Sequence, residues 1–207
     1  EMQRSLVGSE MCIRDRLCMA QYFYEEKNDI WVTTWNKLYN LSFLKEFHIH
    51  FLEHVYHEDI VMHAMLALNT RSFTLTNQTT YLYNCKREDS ITNIEQGYTL
   101  KHLNDLTIVF SEIRRLIQAD NNLSKHLQKE INLYYLFEIY HRYLPAMYSN
   151  IKRVDLIKGL ARLSQNCIPP ILETRLTFKS IKRFLFLKLP FSIQYLIKSH
   201  KYKKDKT

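Results

Sequence analysis

Glycine and proline are scarce in this 207-residue chain, which contains only three glycines and four prolines. Both residue types mark turns and interrupt helices, so their scarcity favours long helices over a sheet with many turns. Hydrophobic residues make up 46% of the chain and charged residues 24%, a balance typical of a globular rather than a disordered protein. A chain of this length can form one domain with a substantial core.

The first sixteen residues carry little information about a fold. Residues 5–16 read SLVGSEMCIRDR, which resembles the in-frame translation of a transposase adapter used to prepare DNA sequencing libraries. We therefore expect residues 1–16 to be a disordered artefact, the native sequence to begin near Leu17, and part of it to be missing upstream. The alternative is an ordinary disordered N-terminus. The three acidic and three basic side chains of this segment cancel, so the net charge of +8 belongs to the remainder.

The chain also lacks the cysteine spacing of a disulfide framework or a zinc site. Beyond residue 16 its cysteines are Cys18, Cys85 and Cys167. They are far apart and odd in number, which predicts reduced thiols in a cytoplasmic protein. The longest apolar stretch, residues 184–197, is interrupted by Lys188 and Pro190 and is too short to span a bilayer.

Two regions differ in their hydrophobic pattern. Residues 17–96 combine one clear helix, at 58–68, with a short helical turn that Ser42 could cap and several short β-like segments. The β-like segments are 30–38, 47–52, 73–76 and 79–83. Residues 97–207 are helical in pattern almost throughout. Their predicted helices span 100–117, 123–144 (ended by Pro145), 151–163, 176–189 and 191–200.

Three motifs in the first region stand in a recognisable order. They are WNKLYNLSFL at 35–44, HEDIVMHAML at 57–66 and YLYNCKREDSIT at 81–92. Together they resemble the second half of family 2 glycosyltransferases with the GT-A fold, particularly bacterial enzymes that build capsule, lipopolysaccharide or exopolysaccharide. The resemblance covers residues 30–95, under half of the chain. It implies an α/β fold, the C-terminal part of a GT-A domain at 17–96, followed by an α-helical extension at 97–207.

Two adjacent carboxylates, Glu58 and Asp59, begin the predicted apolar helix. Free backbone N–H groups and the helix dipole favour negative charge at that position. An inverting sugar transfer needs a carboxylate to take the proton from the acceptor hydroxyl. The resemblance implies that Asp59 is this general base and that Glu58 helps to hold the acceptor. Without the resemblance, simple capping of the helix by acidic residues would be the preferred interpretation.

Four residues near these carboxylates are candidate substrate-binding groups. The indole of Trp35 offers a flat apolar face for a sugar ring, and Asn36 and Lys37 could contact the acceptor or the donor phosphates. The alternative places Trp35 in the core and Lys37 on the solvated surface. His57 directly precedes the carboxylates, and its imidazole could tune Asp59 by charge.

Arg87 and Ser90 match the loop that follows the last strand in the family. A guanidinium fork at this position could bind the nucleotide diphosphate of the donor. The alternative is an exposed polar turn.

Metal binding is predicted only through the resemblance. Five histidines crowd residues 48–63, but they form neither an H-E-x-x-H helix nor a Cys/His finger, so we predict no metal site there. The family binds a nucleotide-sugar donor and holds Mg or Mn with a D-x-D motif. No D-x-D motif precedes Trp35. We therefore expect this chain not to catalyse transfer by itself.

The C-terminal segment from Arg175 onward interleaves lysines and arginines with aromatic and aliphatic residues. This pattern predicts basic helices that lie on an anionic bilayer, and hence a cytoplasmic protein peripheral on the inner membrane. No groove-reading motif indicates a nucleic-acid partner. The alternative is a C-terminal helix that packs on the domain and exposes its lysines to solvent. A different class of function also stays open: a non-enzymatic helical binding protein that uses its basic C-terminus on a membrane or another anionic partner.

Overall fold

The computed structural model describes residues 18–26, 32–70, 72–74 and 98–204. Over these ranges the regular structure is helical and no β-strand forms. In chain order the α-helices are α1 (Cys18–Ala20), α2 (Leu41–Glu46), α3 (Glu58–Asn69), α4 (Leu100–Ala119), α5 (Lys125–Met147), α6 (Arg153–Asn166), α7 (Phe178–Lys188) and α8 (Phe191–Lys204). A π-helical turn (Gln21–Glu25) follows α1, and a 3-10 turn (Ile171–Glu173) precedes α7.

The prediction of an α/β GT-A domain over residues 17–96 is wrong for the described residues. Residues 32–38, part of the first β-like segment, form bends and turns. Phe73 and Thr74, which begin another, lie in irregular backbone, and residues 75–76 and 79–83 lie outside the described ranges. The described part of the chain is therefore a helical assembly.

The alternating segment 47–52 is the end of a helix and not a strand. The Ile49 N–H donates to the Leu44 carbonyl at 2.9 Å, and the His48 N–H donates to the Lys45 carbonyl at 3.3 Å. His48 has a φ of 51°, the left-handed conformation that follows the last residue of many helices. This Schellman arrangement buries Ile49 and turns the chain away from the extended conformation that a strand requires.

The predicted helices of the second region are confirmed, with boundaries shifted by a few residues. Pro145 does not end α5, which continues to Met147. The short turn near Ser42 is also helical, but Asn40 is its N-cap, with its side chain accepting from the Ser42 and Phe43 N–H groups. No helix of the described residues is long and apolar enough to cross a membrane.

The core forms where α4 packs against α6 and α3. One face of α4 is completely buried, at Leu103, Leu106, Val109, Phe110, Ile113 and Ile117. Gly159 of α6 allows the two helix backbones to approach, because a Cβ atom there would lie 2.7 Å from Cδ2 of Leu103. This close crossing holds α6 against the buried face of α4.

Helix α5 is the hub of the remaining packing. It contacts the π-helical turn, α4, α6, the 3-10 turn and α7. The hydroxyl groups of Tyr24 and Tyr135 form a buried hydrogen bond of 2.6 Å, which links the π-helical turn to α5. Helix α3 packs against α1, which continues into that turn, and the charge of Arg142 on α5 acts on His57 at the start of α3. The candidate site lies in this neighbourhood.

Candidate functional site

Helix α3 begins at the two predicted carboxylates, and Glu58 and Asp59 both lie in its first turn. From Ile60 onward the helix is buried except at Met65 and Asn69, which are partly accessible, as are Glu58 and Asp59 at its N-terminal end. His57 is the N-cap, with a φ of 65° and no capping hydrogen bond from its side chain. The Ile60 N–H of the first turn donates to the His57 carbonyl at 3.2 Å, and the backbone N–H groups of this turn also favour the ionised form of Asp59.

Burial raises the pKa of the Asp59 carboxyl group, and the neighbouring charge of Glu58 raises it further. Hydrogen bonds from the backbone N–H groups of Ile60 and Asp59, together with the charge of Arg142, oppose these effects. The result is a half-buried carboxylate whose proton affinity exceeds that of an ordinary aspartate. Such a group is suited to accepting a proton from a hydroxyl group in a cleft.

Lys37 is one of two cationic residues whose charge interacts with that of Asp59. Its ammonium group donates to the Thr33 carbonyl and, at 2.8 Å, to Oδ1 of Asn36. Burial lowers the pKa of Lys37 to about 8, and the negative charge of Asp59 works against that decrease. Lys37 thus interacts by charge with Asp59 and by a hydrogen bond with Asn36, while its predicted contact with a substrate stays a prediction.

Arg142 is the second cation, and sequence reasoning missed it. It lies on α5 and forms an i,i+4 ion pair with Glu138. Its charge acts on Asp59 and His57, and it opposes the burial that raises the pKa of Tyr98. The sequence does show Glu138 and Arg142 at i,i+4 spacing in a helix rich in aromatic residues. That spacing does not indicate which distant residue the Arg142 charge acts on.

The imidazole of His57 does not carry the charge with which it was expected to tune Asp59. Burial lowers its pKa to about 4, and the charges of Arg142 and His102 contribute to that decrease. Its Nε2 atom is buried and has no hydrogen-bond partner among the described residues. Because the ring is neutral above about pH 4, it supplies no positive charge to Asp59 near neutral pH.

The other predicted residues have separate positions. Trp35 is 38% exposed and lies in the turn that also holds Asn36, so it is not a core residue. Arg87 and Ser90 lie outside the described residues. The structure therefore groups Asn36, Lys37, His57, Glu58 and Asp59 around the start of α3, with Trp35 beside them.

The crowded histidines are separated by the fold. His48, His54 and His57 each adopt a left-handed backbone conformation, and His63 is buried in α3 with its ring 4.5 Å from that of Phe23. Within the ranges 18–26, 32–70, 72–74 and 98–204, no group of three or more His, Cys, Asp or Glu side chains is arranged to hold a metal ion. The Mg or Mn that the family resemblance implies is held by a D-x-D motif, which this sequence does not contain.

The chain matches no protein-family model, and no curated protein or solved structure is significantly similar to it. Inference about its function therefore depends on the residues and geometry of the site. The arrangement offers one proton-accepting carboxylate whose charge interacts with those of Lys37, earlier in the sequence, and Arg142, later in it. This carboxylate can deprotonate a hydroxyl group.

Proposed function

We propose that this chain provides the acceptor side of an inverting glycosyltransferase resembling family 2. The enzyme would move a sugar from a nucleotide-sugar donor to a bacterial surface glycan such as capsule, lipopolysaccharide or exopolysaccharide. The observation that carries this proposal is the Asp59 carboxyl group, with its raised pKa, at the start of α3 within reach of the charges of Lys37 and Arg142. The proposal depends on the site and the motif order, and it requires no sheet in the described residues.

In the proposed reaction Asp59 accepts the proton of the acceptor hydroxyl group. The hydroxyl oxygen then forms a bond to the anomeric carbon while the bond to the nucleotide diphosphate breaks. The electron pair of that bond leaves with the diphosphate, and the configuration at the anomeric carbon inverts. Glu58 holds the acceptor, and the cationic side chains offset the negative charge that builds up near the leaving group.

The remaining roles follow the family resemblance. Trp35 stacks on a sugar ring, and Asn36 positions the Lys37 ammonium group through the 2.8 Å hydrogen bond. His57 stays neutral next to the carboxylates. Arg87 and Ser90 bind the diphosphate of the donor.

The proposed enzyme is expected to require a cofactor whose binding motif this chain does not contain. Mg or Mn is the expected cofactor of an intact enzyme of this kind, but the sequence contains no D-x-D motif and no step above uses a metal. We propose that the reaction takes place in the cytoplasm at the inner face of the membrane. The 207-residue chain alone is expected to show no turnover of any sugar nucleotide.

The test is Asp59→Asn in the product of the complete reading frame. We expect the transfer rate to fall about a hundredfold or more, since an amide cannot accept the proton. The matched control is Asp155→Asn, which changes the acidic residue in the first turn of α6. A folded Asp59→Asn variant, checked by circular dichroism, that keeps the full rate would refute the assignment of the base.

The second candidate is a non-enzymatic helical binding protein. The helical character of the described residues favours it, because a GT-A domain is absent there. It would be preferred if the product of the complete reading frame transferred no sugar from a panel of nucleotide-sugars and still bound an anionic partner. Upstream sequence that encodes a D-x-D motif would favour the enzyme.

A further inference from the structure

The outer face of α7 carries a stripe of apolar side chains. Phe178, Ile181 and Leu185 are 83%, 41% and 58% exposed, and their i, i+3, i+7 spacing puts them on one side of the helix. The opposite side is buried at Ser180, Phe186 and Leu187 and packs against α5. A helix that packs on a domain through one face normally exposes polar residues on the other. Helix α7 buries Phe186 and Leu187 in this way, but its exposed side carries three large apolar side chains beside its lysines.

Helix α8 also exposes a stripe of apolar side chains, and it buries a polar one. Ile193, Leu196 and Ile197 are exposed at i, i+3 and i+4, whereas the polar Gln194 is buried. The Gln194 side chain accepts from the Tyr143 hydroxyl at 2.6 Å and donates to the Phe186 carbonyl at 2.9 Å. These hydrogen bonds hold the polar side of α8 inward and leave its apolar side outward.

Two more exposed leucines extend the apolar surface along the chain. Leu172 lies in the 3-10 turn and is 81% exposed, and Leu176 lies just before α7 and is 57% exposed. We define the apolar docking surface as Leu172, Leu176, Phe178, Ile181, Leu185, Ile193, Leu196 and Ile197. Exposed apolar side chains in this number on neighbouring segments are typical of an interaction site.

The segment that carries this surface also carries the positive charge of the protein. Residues 175–207 contain ten lysines and arginines and one acidic residue. The whole chain has 29 basic and 21 acidic residues, so the other 174 residues have a net charge of −1. On α7 the exposed Lys182 and Lys188 lie on either side of the Phe178–Leu185 stripe in a helical projection.

We infer that the apolar docking surface binds an anionic phospholipid bilayer. Lysines beside an outward apolar stripe match a membrane interface, where the side chains enter the acyl boundary and the cations meet lipid phosphates. A nucleic acid would use the cations but would leave the apolar stripe in water. A second copy of this chain would bring two strongly basic surfaces together. Charge complementarity therefore selects the bilayer.

The choice of a membrane rests in part on the proposed function, since enzymes that extend surface glycans work beside one. The apolar docking surface itself is defined only by the exposure of its side chains and by the positive charge around them. Binding to vesicles does not require a sugar substrate. One of the two proposals can therefore be disproved while the other holds. An Asp59→Asn variant that loses transfer and binds vesicles normally would support both.

The experiment is vesicle flotation of the purified chain. We expect it to float with vesicles of phosphatidylglycerol and phosphatidylethanolamine, and to bind vesicles of phosphatidylcholine about tenfold or more weakly. The triple variant Phe178→Ser, Leu185→Ser, Leu196→Ser should lose about tenfold or more of the binding to anionic vesicles. The matched control is Ile108→Ser with Val154→Ser, two exposed apolar residues on α4 and α6. A second variant, Lys179→Gln with Lys182→Gln, should weaken binding and reduce its dependence on salt.

Four outcomes would overturn the inference. They are absence of flotation with anionic vesicles, equal binding by the triple variant, tighter binding to duplex DNA or RNA than to vesicles, and a dimer that the triple variant dissociates. The last two would assign the surface to a nucleic acid or to a second copy. All the substituted residues are exposed, and circular dichroism checks that each variant is folded.

Discussion

The hydroxyl group of Tyr143 donates a hydrogen bond of 2.6 Å to Oε1 of Gln194, which joins α5 to α8 across 51 positions of the sequence. Both side chains are buried. Because Gln194 also donates to the Phe186 carbonyl, a single polar side chain connects α5, α7 and α8. This connection fixes which side of α8 faces the solvent.

Removing the Tyr143 hydroxyl group should loosen α8. Tyr143→Phe leaves the buried Oε1 of Gln194 without its donor, which we expect to cost about 1–3 kcal/mol of unfolding free energy. Urea denaturation measures this cost, and limited proteolysis should show faster cleavage within 191–204. Tyr195→Phe is the control, since Tyr195 is 42% exposed. Equal stability of the two variants would contradict a structural role for the hydrogen bond.

Filling the close contact at Gly159 should also destabilise the core. Gly159→Ala places a methyl group 2.7 Å from Cδ2 of the fully buried Leu103. Overpacking costs about 1–3 kcal/mol, which outweighs the gain of up to about 1 kcal/mol from alanine in a helix. We expect a lower melting temperature. Adding Leu103→Val should make the double variant less unstable than the sum of the single changes, and strict additivity would show that the contact does not matter.

Acid should destabilise the protein through its buried histidines. Burial lowers the pKa of His63 to about 3 and that of His57 to about 4, whereas a histidine in the unfolded chain titrates near 6.5. The unfolded state therefore binds more protons between about pH 6.5 and these lower values. Stability is complete above this window and falls as the pH falls through it, with a slope of up to about 1.4 kcal/mol per pH unit for each ring.

His63→Phe tests this pH dependence, because phenylalanine keeps an aromatic ring beside Phe23 and cannot take a proton. Urea denaturation at several pH values should show a shallower loss of stability in acid for the variant than for the parent protein. His126→Phe, at an exposed position on α5, is the control. A variant whose stability profile is parallel to that of the parent would exclude His63 as a source of the acid sensitivity.

Neutralising Arg142 should raise the pKa of Asp59 further. The Arg142 charge opposes the effect of burial on this carboxyl group, so Arg142→Gln removes an interaction that favours the ionised form. Carbon NMR of the Asp59 carboxyl group should show its titration midpoint at higher pH than in the parent. In the active enzyme, the acid limb of the pH–rate profile should move in the same direction.

Arg115→Gln is the matched control for Arg142→Gln. Arg115 pairs with Glu112 on α4, much as Arg142 pairs with Glu138 on α5. The Asp59 midpoint should be unchanged in this control. A shift of equal size in both variants would mean that the effect on Asp59 is not local to Arg142.

Much of the helical structure could be predicted from the sequence. The apolar repeat of α4 and the paired acids at the start of α3 lie where the pattern predicts them, because a helix with one buried face imposes its period on the sequence. The strand predicted at 47–52 was wrong for a local reason. Five alternating residues fit a Schellman helix end as well as a strand, and hydrogen bonds from His48 and Ile49 decide between them.

Part of the candidate site could also be read from the sequence. Lys37, Glu58 and Asp59 come from motifs in one region, and the fold brings their charges together. Arg142 could not be predicted in this role, because its position depends on how α5 packs near the start of α3. Charge interactions between residues about 80 positions apart leave no local pattern.

The sequence by itself determined which segments become helices and where the positive charge accumulates, since helical period and composition are local properties. The tertiary structure alone decided which faces of α7 and α8 are covered. Periodicity predicts an apolar stripe on each helix and would turn it inward. On α8 the buried hydrogen bonds of Gln194 instead hold a polar side chain against the core, which leaves the apolar side of the helix facing outward. Helix α7 buries Phe186 and Leu187 and still exposes Phe178, Ile181 and Leu185.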